Sequence, residues 1–359
     1  MSKKDSKLDK IEKILRSHAF VTPPFLQHSA IQMFCFTIIP YFTTALPKRD
    51  RRLIDLPDGA KLAADCWWQK EKEEHKTIIV LSGLDGFSGS GESLFAKELV
   101  MKSYFWGFNV IHLKQRGEAD TIHLTTSVIN TYLENELACA LEQIVRWGIT
   151  NVYIVGLSAG GYLALLEAGR LGTAARKTIG GIVAISVPLD MVQTWNYIEK
   201  NTFYDKLLLK TYKHLIKRRI RIDPPGTWNE QQLKNIKTKK QWFHTYKHMW
   251  GYPEKFSTLE EYNEKIDVYP LLAKIKVPTV IINAYDDPVA SAEPFTKPLV
   301  TDNPYIITLL SKHGGHGGFF TFKKLYGDLD RHWAQNRAIE FIRLLTQQQK
   351  PCINEENCV

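Results

Sequence analysis

Gly156-Leu157-Ser158-Ala159-Gly160-Gly161 is the stretch on which the reading of this chain turns. Ahead of it, Asn151–Val155 is short, apolar and β-branched, the pattern of a buried strand. Behind it, the run from Tyr162 to Arg170 is rich in Leu and Ala and reads as a helix. A serine between the two, with Gly156 and Gly160 two positions to either side, fits the G-x-S-x-G turn that lifts a nucleophile above a sheet. That turn strains the serine backbone and crowds its neighbours, so nearly bare residues are needed there. It also sets the hydroxyl at a helix N-terminus, where backbone N–H groups favour negative charge. The plainer alternative is a Gly-rich turn whose serine only caps the helix. The motif alone does not choose between them.

The bulk numbers narrow the class. The chain has 359 residues, 44% hydrophobic and 24% charged, a globular composition long enough for one large α/β domain or two smaller ones. Its net charge of +9 is compatible with an anionic partner. Five cysteines (Cys35, Cys66, Cys139, Cys352, Cys358) lie at irregular spacing with no C-x-x-C pair. That argues against a disulfide scaffold or a thiolate zinc site and for a reducing, cytoplasmic setting. Residues 1–16 are charged and helical in pattern, and no apolar h-region directly follows them, unlike a secretory signal. Residues 25–46 are the most apolar, but Gln27, His28, Gln32 and Pro40 interrupt them. Their unbroken part is too short to cross about 30 Å of hydrocarbon. The expectation is an arm (residues 1–50) packed on the core, with insertion into a membrane surface as the alternative.

The order of elements points to a mostly parallel sheet. Arg51 to Gln69 reads as two strands joined at Pro57-Asp58-Gly59, a hairpin signal. Thr77–Leu81 is a buried strand that runs into the Gly-rich stretch Ser82–Gly91. A helix over 92–103, a strand over 108–113, an amphipathic helix over 131–147 and a strand over 179–188 follow. Alternation of this kind implies right-handed βαβ crossovers. From 191 to 266 the chain turns aromatic and basic with helical periodicity, which predicts a helical cap inserted over one sheet edge. The core pattern, begun over 51–190, resumes over 267–348 with strands at 277–283 and 305–310 and a helix at 329–345. Residues 349–359 are expected to be a loose tail.

A serine hydroxyl needs a base, and the base needs an orienting acid. In this architecture the chain order is serine, acid, histidine. One later strand ends at Asp286-Asp287-Pro288 and the next at His313-Gly314-Gly315-His316. Both follow strands on the same edge as Ser158, and that convergence says more than any one motif.

Taken together, these residues resemble the branch of the α/β-hydrolases that contains the bacterial YheT hydrolases, the α/β-hydrolase-domain lipases of animals and the ethanol acyltransferases of yeast. The resemblance runs from Pro23 to about Phe319 and includes Asp58-Gly59, Ser82-Gly83, Arg116-Gly117, Gly156–Gly161, the Asp286-Asp287-Pro288 box and the His313–His316 box. It implies Ser158 as nucleophile, His316 as general base and Asp287 as acid, with Asp286 as the alternative acid. It implies oxyanion donors from the backbone of Ala159 and Leu84. The chain departs from the family in two places. Ser82 stands where a histidine is usual, and Gly317 where a bulky residue follows the second histidine. The latter would loosen the base loop or leave room for a larger acyl group.

The expected function is hydrolysis of apolar or lipid-like carboxylic esters. An acyltransferase with the same triad and a non-catalytic membrane- or partner-binding scaffold are the rivals. No cofactor or metal is expected: His244 and His248 lack the glutamate of H-E-x-x-H. Gly86–Gly91 lacks the Gly-Lys-Ser/Thr of a phosphate loop, and no nucleic-acid module is visible. The basic cap residues, among them Lys206, Lys210, Lys213, Lys217, Arg218 and Arg219, read as a solvated face, with peripheral contact to anionic lipid as the alternative. Trp195, Tyr197, Phe203, Trp242, Phe243, Tyr246 and Trp250 read as the cap's own core before an acyl pocket. Arg116 reads as a structural bond across the sheet edge.

Overall fold

The computed structural model describes residues 6–84, 93–125, 136–200, 202–223, 230–238 and 266–348, with single positions at 241, 261 and 264. The expectations for Gly86–Gly91, His244, His248, Trp242, Phe243, Tyr246, Trp250 and the tail over 349–359 lie outside those residues.

Eight strands form one sheet: β1 (Asp50–Asp55), β2 (Lys61–Trp67), β3 (Thr77–Leu81), β4 (Asn109–Lys114), β5 (Val152–Leu157), β6 (Ile179–Ile185), β7 (Thr279–Ala284) and β8 (Ile306–Ser311). Their order is β1-β2-β4-β3-β5-β6-β7-β8. Both pairs that β2 makes are antiparallel, and every pair from β4 through β8 is parallel. This is the expected α/β-hydrolase fold. The β1–β2 hairpin turns at Asp58, whose Oδ1 accepts from Ala60 N at 3.2 Å.

The parallel strands are buried on both faces, so they read as unbroken apolar runs such as Thr77–Leu81. Helices α1 (Ser6–Ser17), α2 (Ser29–Ile38), α3 (Leu94–Phe105), α4 (Glu136–Arg146) and α5 (Ala159–Leu171) surround the sheet with a C-terminal helix over Trp333–Thr346. One apolar cluster joins α4 and α5 to one face, through Leu141, Ile144, Leu165 and Ile154. A second joins α1, α3 and the C-terminal helix to the other, through Leu15, Leu99, Val155 and Phe341.

The last helix begins at Trp333 rather than at 329, because the preceding residues are committed to a buried polar cluster. Lys102 Nζ donates to Glu98 Oε1 at 2.5 Å and to Asp330 Oδ1 at 2.7 Å, and His332 Nδ1 lies 2.7 Å from Glu98 Oε2. Asp330 Oδ2 also accepts from Phe42 N at 2.7 Å, which ties the arm to the core. Glu98, Asp330 and His332 have the donor atoms of a metal site, but the Lys102 ammonium already supplies the positive charge between the two carboxylates.

Between β6 and β7 the described chain forms α6 (Met191–Glu199), α7 (Thr202–Ile220) and α8 (Glu230–Asn235). Leu208, Leu209, Tyr212, Ile216, Leu233 and Ile236 bury one another there, and Leu84 and Val289 from the core loops pack against them. The basic face is partly committed. Arg219 is buried and donates to the carbonyls of Ile122 and Thr125 and to Asp223, and Lys213 donates to Ile236 O at 2.6 Å. Lys206, Lys210 and Lys217 are exposed.

Candidate active site

Ser158 closes β5 and opens α5 with φ 51° and ψ −115°. A non-glycine residue in that region stores roughly 1–3 kcal/mol of strain, which the surroundings must impose. They do so at the glycines. A Cβ on Gly156 would overlap the backbone of Gly160 and Gly161, and one on Gly160 would overlap the carbonyl oxygen of Leu81. Gly161, which sequence reasoning did not single out, is equally constrained, since a Cβ there would strike Val187. The Ser158 side chain makes no capping bond to α5, so the plainer reading of this serine fails.

Parallel pairing brings five strand ends to one edge. Leu81 is level with Gly156, Leu157 with Ile185, Ile185 with Ile282, and Ala284 with Ser311. The residues that follow β3, β5, β7 and β8 therefore share that edge: Ser82–Leu84, Ser158, Asp286–Asp287 and His313–His316.

Asp287 and His316 meet there. His316 Nδ1 lies 3.0 and 3.1 Å from the two carboxylate oxygens of Asp287. Asp287 is 1% exposed, and its Oδ1 also accepts from Val289 N and Ala290 N, both at 2.8 Å. A carboxylate so held fixes the ring and leaves Nε2 as the nitrogen that can take a proton. Asp286 instead accepts from Gly315 N at 2.9 Å and faces His313 Nδ1 at 3.6 Å. Burial raises the Asp286 pKa, against the opposing pull of those two partners. Asp286 sits in a turn closed by Asp287 N, which donates to Ala284 O at 3.2 Å, and tethers the histidine loop, and His313 faces this carboxylate.

The histidine loop lies against the serine turn. A Cβ on Gly317 would come within 3.0 Å of Leu157 Cδ1, beside Ser158. No hydrogen bond joins Ser158 Oγ to His316 among the described residues. Such contacts commonly run long in a free enzyme and tighten when substrate binds. Gly317 has φ 74° and gives its N–H to Ser186 Oγ at 2.9 Å. Ser186 is fully buried, itself at φ 51°, and sequence reasoning missed it. Its signal was a serine set where β6 ends. Ser186 thus holds the Gly317 N–H, and Leu157 lies where a side chain at 317 would begin.

Ala159 is the first residue of α5, so its N–H has no partner within the helix. The loop after β3 comes close as well: a Cβ on Gly83 would sit 3.3 Å from Ser158 Cβ. That loop is held from below. Ser82 Oγ lies 3.0 Å from His112 Nε2, Gln115 Nε2 donates to Ser82 O, and Gln115 N donates to Glu118 Oε2 at 3.0 Å. Burial opposes ionisation of Glu118, but the charge and bonds of His112 bring its pKa below the usual range. At the position where the resemblance leads to a histidine, Ser82 thus bonds a histidine supplied by β4. Arg116 bonds Glu136, Asp58 and Thr125, a structural tie as expected.

No family model matches the chain. Curated relatives do. It is 25% identical over 337 residues to Abhydrolase domain-containing protein 2 of Drosophila melanogaster, covering 89% of this chain and 82% of the relative. It is 25% identical over 325 residues to the putative esterase YheT of Escherichia coli, covering 84% of this chain and 89% of the relative. Over most of its length the chain is thus similar to α/β-hydrolases of the YheT type. Human monoacylglycerol lipase ABHD2 is 22% identical over 317 residues, covering 84% of this chain and 74% of the relative. Among such relatives the chain is esterase- and lipase-like. No described helix is long and apolar enough to cross a membrane.

Proposed function

We propose that this chain cleaves carboxylic esters with apolar or lipid-like acyl groups, using Ser158, His316 and Asp287. The observation that carries the reading is the pairing of a strained, non-capping serine with a histidine loop packed on the same turn, its imidazole gripped at Nδ1 by a buried carboxylate.

In this reading Ser158 Oγ attacks the ester carbonyl carbon as His316 Nε2 removes its proton. Asp287 keeps the ring in the right tautomer and offsets its positive charge. The developing oxyanion accepts from the N–H groups of Ala159 and Leu84. Collapse expels the alcohol, which takes the proton from His316. Water then gives a proton to His316 and attacks the acyl-serine carbonyl; the acyl–Oγ bond breaks, Ser158 Oγ takes the proton back from His316, and the acid leaves. The relatives' printed names, esterase and monoacylglycerol lipase, support an ester substrate.

The test is turnover of a graded acyl ester series together with fluorophosphonate labelling. The wild-type chain should label at Ser158 and turn over esters. Ser158→Ala should lose labelling and about 10⁶ in kcat. Ester turnover retained by Ser158→Ala would overturn the assignment.

A further inference from the structure

The arm carries an apolar face that the catalytic reading does not use. Within α2, Gln32 and Cys35 face inward, while Ile31, Phe34 and Ile38 are exposed at helical spacing, so they share one outer face. Phe34 is 61% exposed, Phe25 64% and Phe322 60%. The rings of Phe25 and Phe322 meet edge to face at 5.7 Å. Gln32 holds the three segments side by side, donating to Leu26 O at 2.6 Å and to Phe320 O at 3.2 Å and accepting from Phe320 N at 2.6 Å. Large aromatics left in water as a group mark an interaction surface.

Charge selects the occupant. From Ser17 to Pro47 there is no Asp, Glu, Lys or Arg, so no carboxylate within that stretch would repel an anionic surface. Lys323 and Lys324 are exposed and directly follow Phe322. Phenyl rings with a lysine rim and no acidic neighbour on the helix suit the headgroup region of an anionic bilayer, where rings enter the acyl boundary and ammonium groups meet phosphate.

The same helix rests on the histidine loop. A Cβ on Gly315 would meet Ser29 O and Met33 Cγ, and one on Gly318 would meet Gln32. We propose that the outer face of α2, with Phe25 and Phe322, docks on a bilayer surface containing anionic phospholipid and brings the histidine loop to it. The docking stands on this exposed face alone; that it serves delivery of a lipid ester rests on the function proposed above.

The test is co-sedimentation of the full-length chain with phosphatidylcholine vesicles containing about one-third phosphatidylserine, compared with phosphatidylcholine alone. The wild-type chain should bind the anionic vesicles. Phe25→Ser/Phe34→Ser/Phe322→Ser should bind at least about tenfold more weakly. Lys323→Glu/Lys324→Glu should lose about tenfold on anionic vesicles and little on neutral ones. Turnover of a soluble acetyl ester should be unchanged in both variants, which shows that they are folded. If the triple variant does not fold, Phe34→Ser alone and the lysine variant decide. Wild-type protein that stays in the supernatant, or aromatic variants that bind as it does, would overturn the proposal. So would a wild-type dimer that the aromatic variant converts to monomer, since a second copy would then own the face. Vesicle binding as expected without any ester turnover would leave the docking standing and remove the esterase reading.

Discussion

Asp287 gathers the His316 imidazole and two backbone N–H groups on one buried carboxylate, whereas Asp286, one position earlier, holds the N–H of Gly315 and faces His313. Adjacent aspartates in a turn point in different directions, so one step along the chain separates ring orientation from loop tethering. In the proposed triad Asp287→Asn keeps the shape but favours the wrong imidazole tautomer, and kcat for ester hydrolysis should fall about 10⁴-fold. Asp286→Asn retains an oxygen for Gly315 N, and kcat should stay within about tenfold of wild type. Steady-state kinetics on both variants checks this, and the reverse ranking would make Asp286 the acid. At this scale the sequence narrowed the acid to two residues and did not choose by itself. Counting from Pro278 under the family resemblance favoured Asp287, and the hydrogen bonds agree.

Strand ends and tight turns are the elements that build the site. β5 and α5 can meet at Ser158 only because Gly160 lets the helix start close under β3, against Leu81 O. Gly160→Ala would drive a Cβ into backbone that has no rotamer to yield. The cost should reach the upper end of the roughly 1–3 kcal/mol seen for overpacked cores, read as a lower melting temperature in calorimetry. A variant with unchanged melting temperature and activity would show that the turn relaxes. The histidine loop is a composite of other elements. Its Gly317 hangs on Ser186 at the end of β6, its Phe320 on Gln32 from α2, and its Gly315 on Asp286 after β7. None of those three ties is visible in the local pattern around His316, because each partner is distant in sequence.

Across the whole molecule, ion pairs fasten the antiparallel edge of the sheet to the parallel core. Asp120 accepts from Arg51 Nη1 at 2.6 Å and from Lys114 Nζ at 2.8 Å, so it links β1 and β4. Burial works against its ionisation, but Arg51 and Lys114 outweigh that and hold its carboxyl well below the usual range. A folded-state pKa below the unfolded value means stability that is present above about pH 4 and is lost as pH falls through the folded pKa. Asp120 is half exposed, so solvent screens the pair, and Asp120→Asn should lower stability at pH 7 by about 1 kcal/mol or less. That deficit should shrink as pH falls below about 4, measured by urea unfolding at several pH values. A deficit that does not change with pH would mean that the carboxylate charge is not what matters. The sequence alone determined the sheet, because a parallel strand buried on both faces must be an apolar run, and because a serine turn wedged between strand and helix needs glycines. Only the tertiary structure decided which aspartate orients His316, that Ser186 and Gln32 fasten its loop, and that His112 takes the place under the β3 loop beside Ser82. Those are contacts between residues far apart in the chain, and the distances that rule them exist only once the sheet has brought its strand ends together.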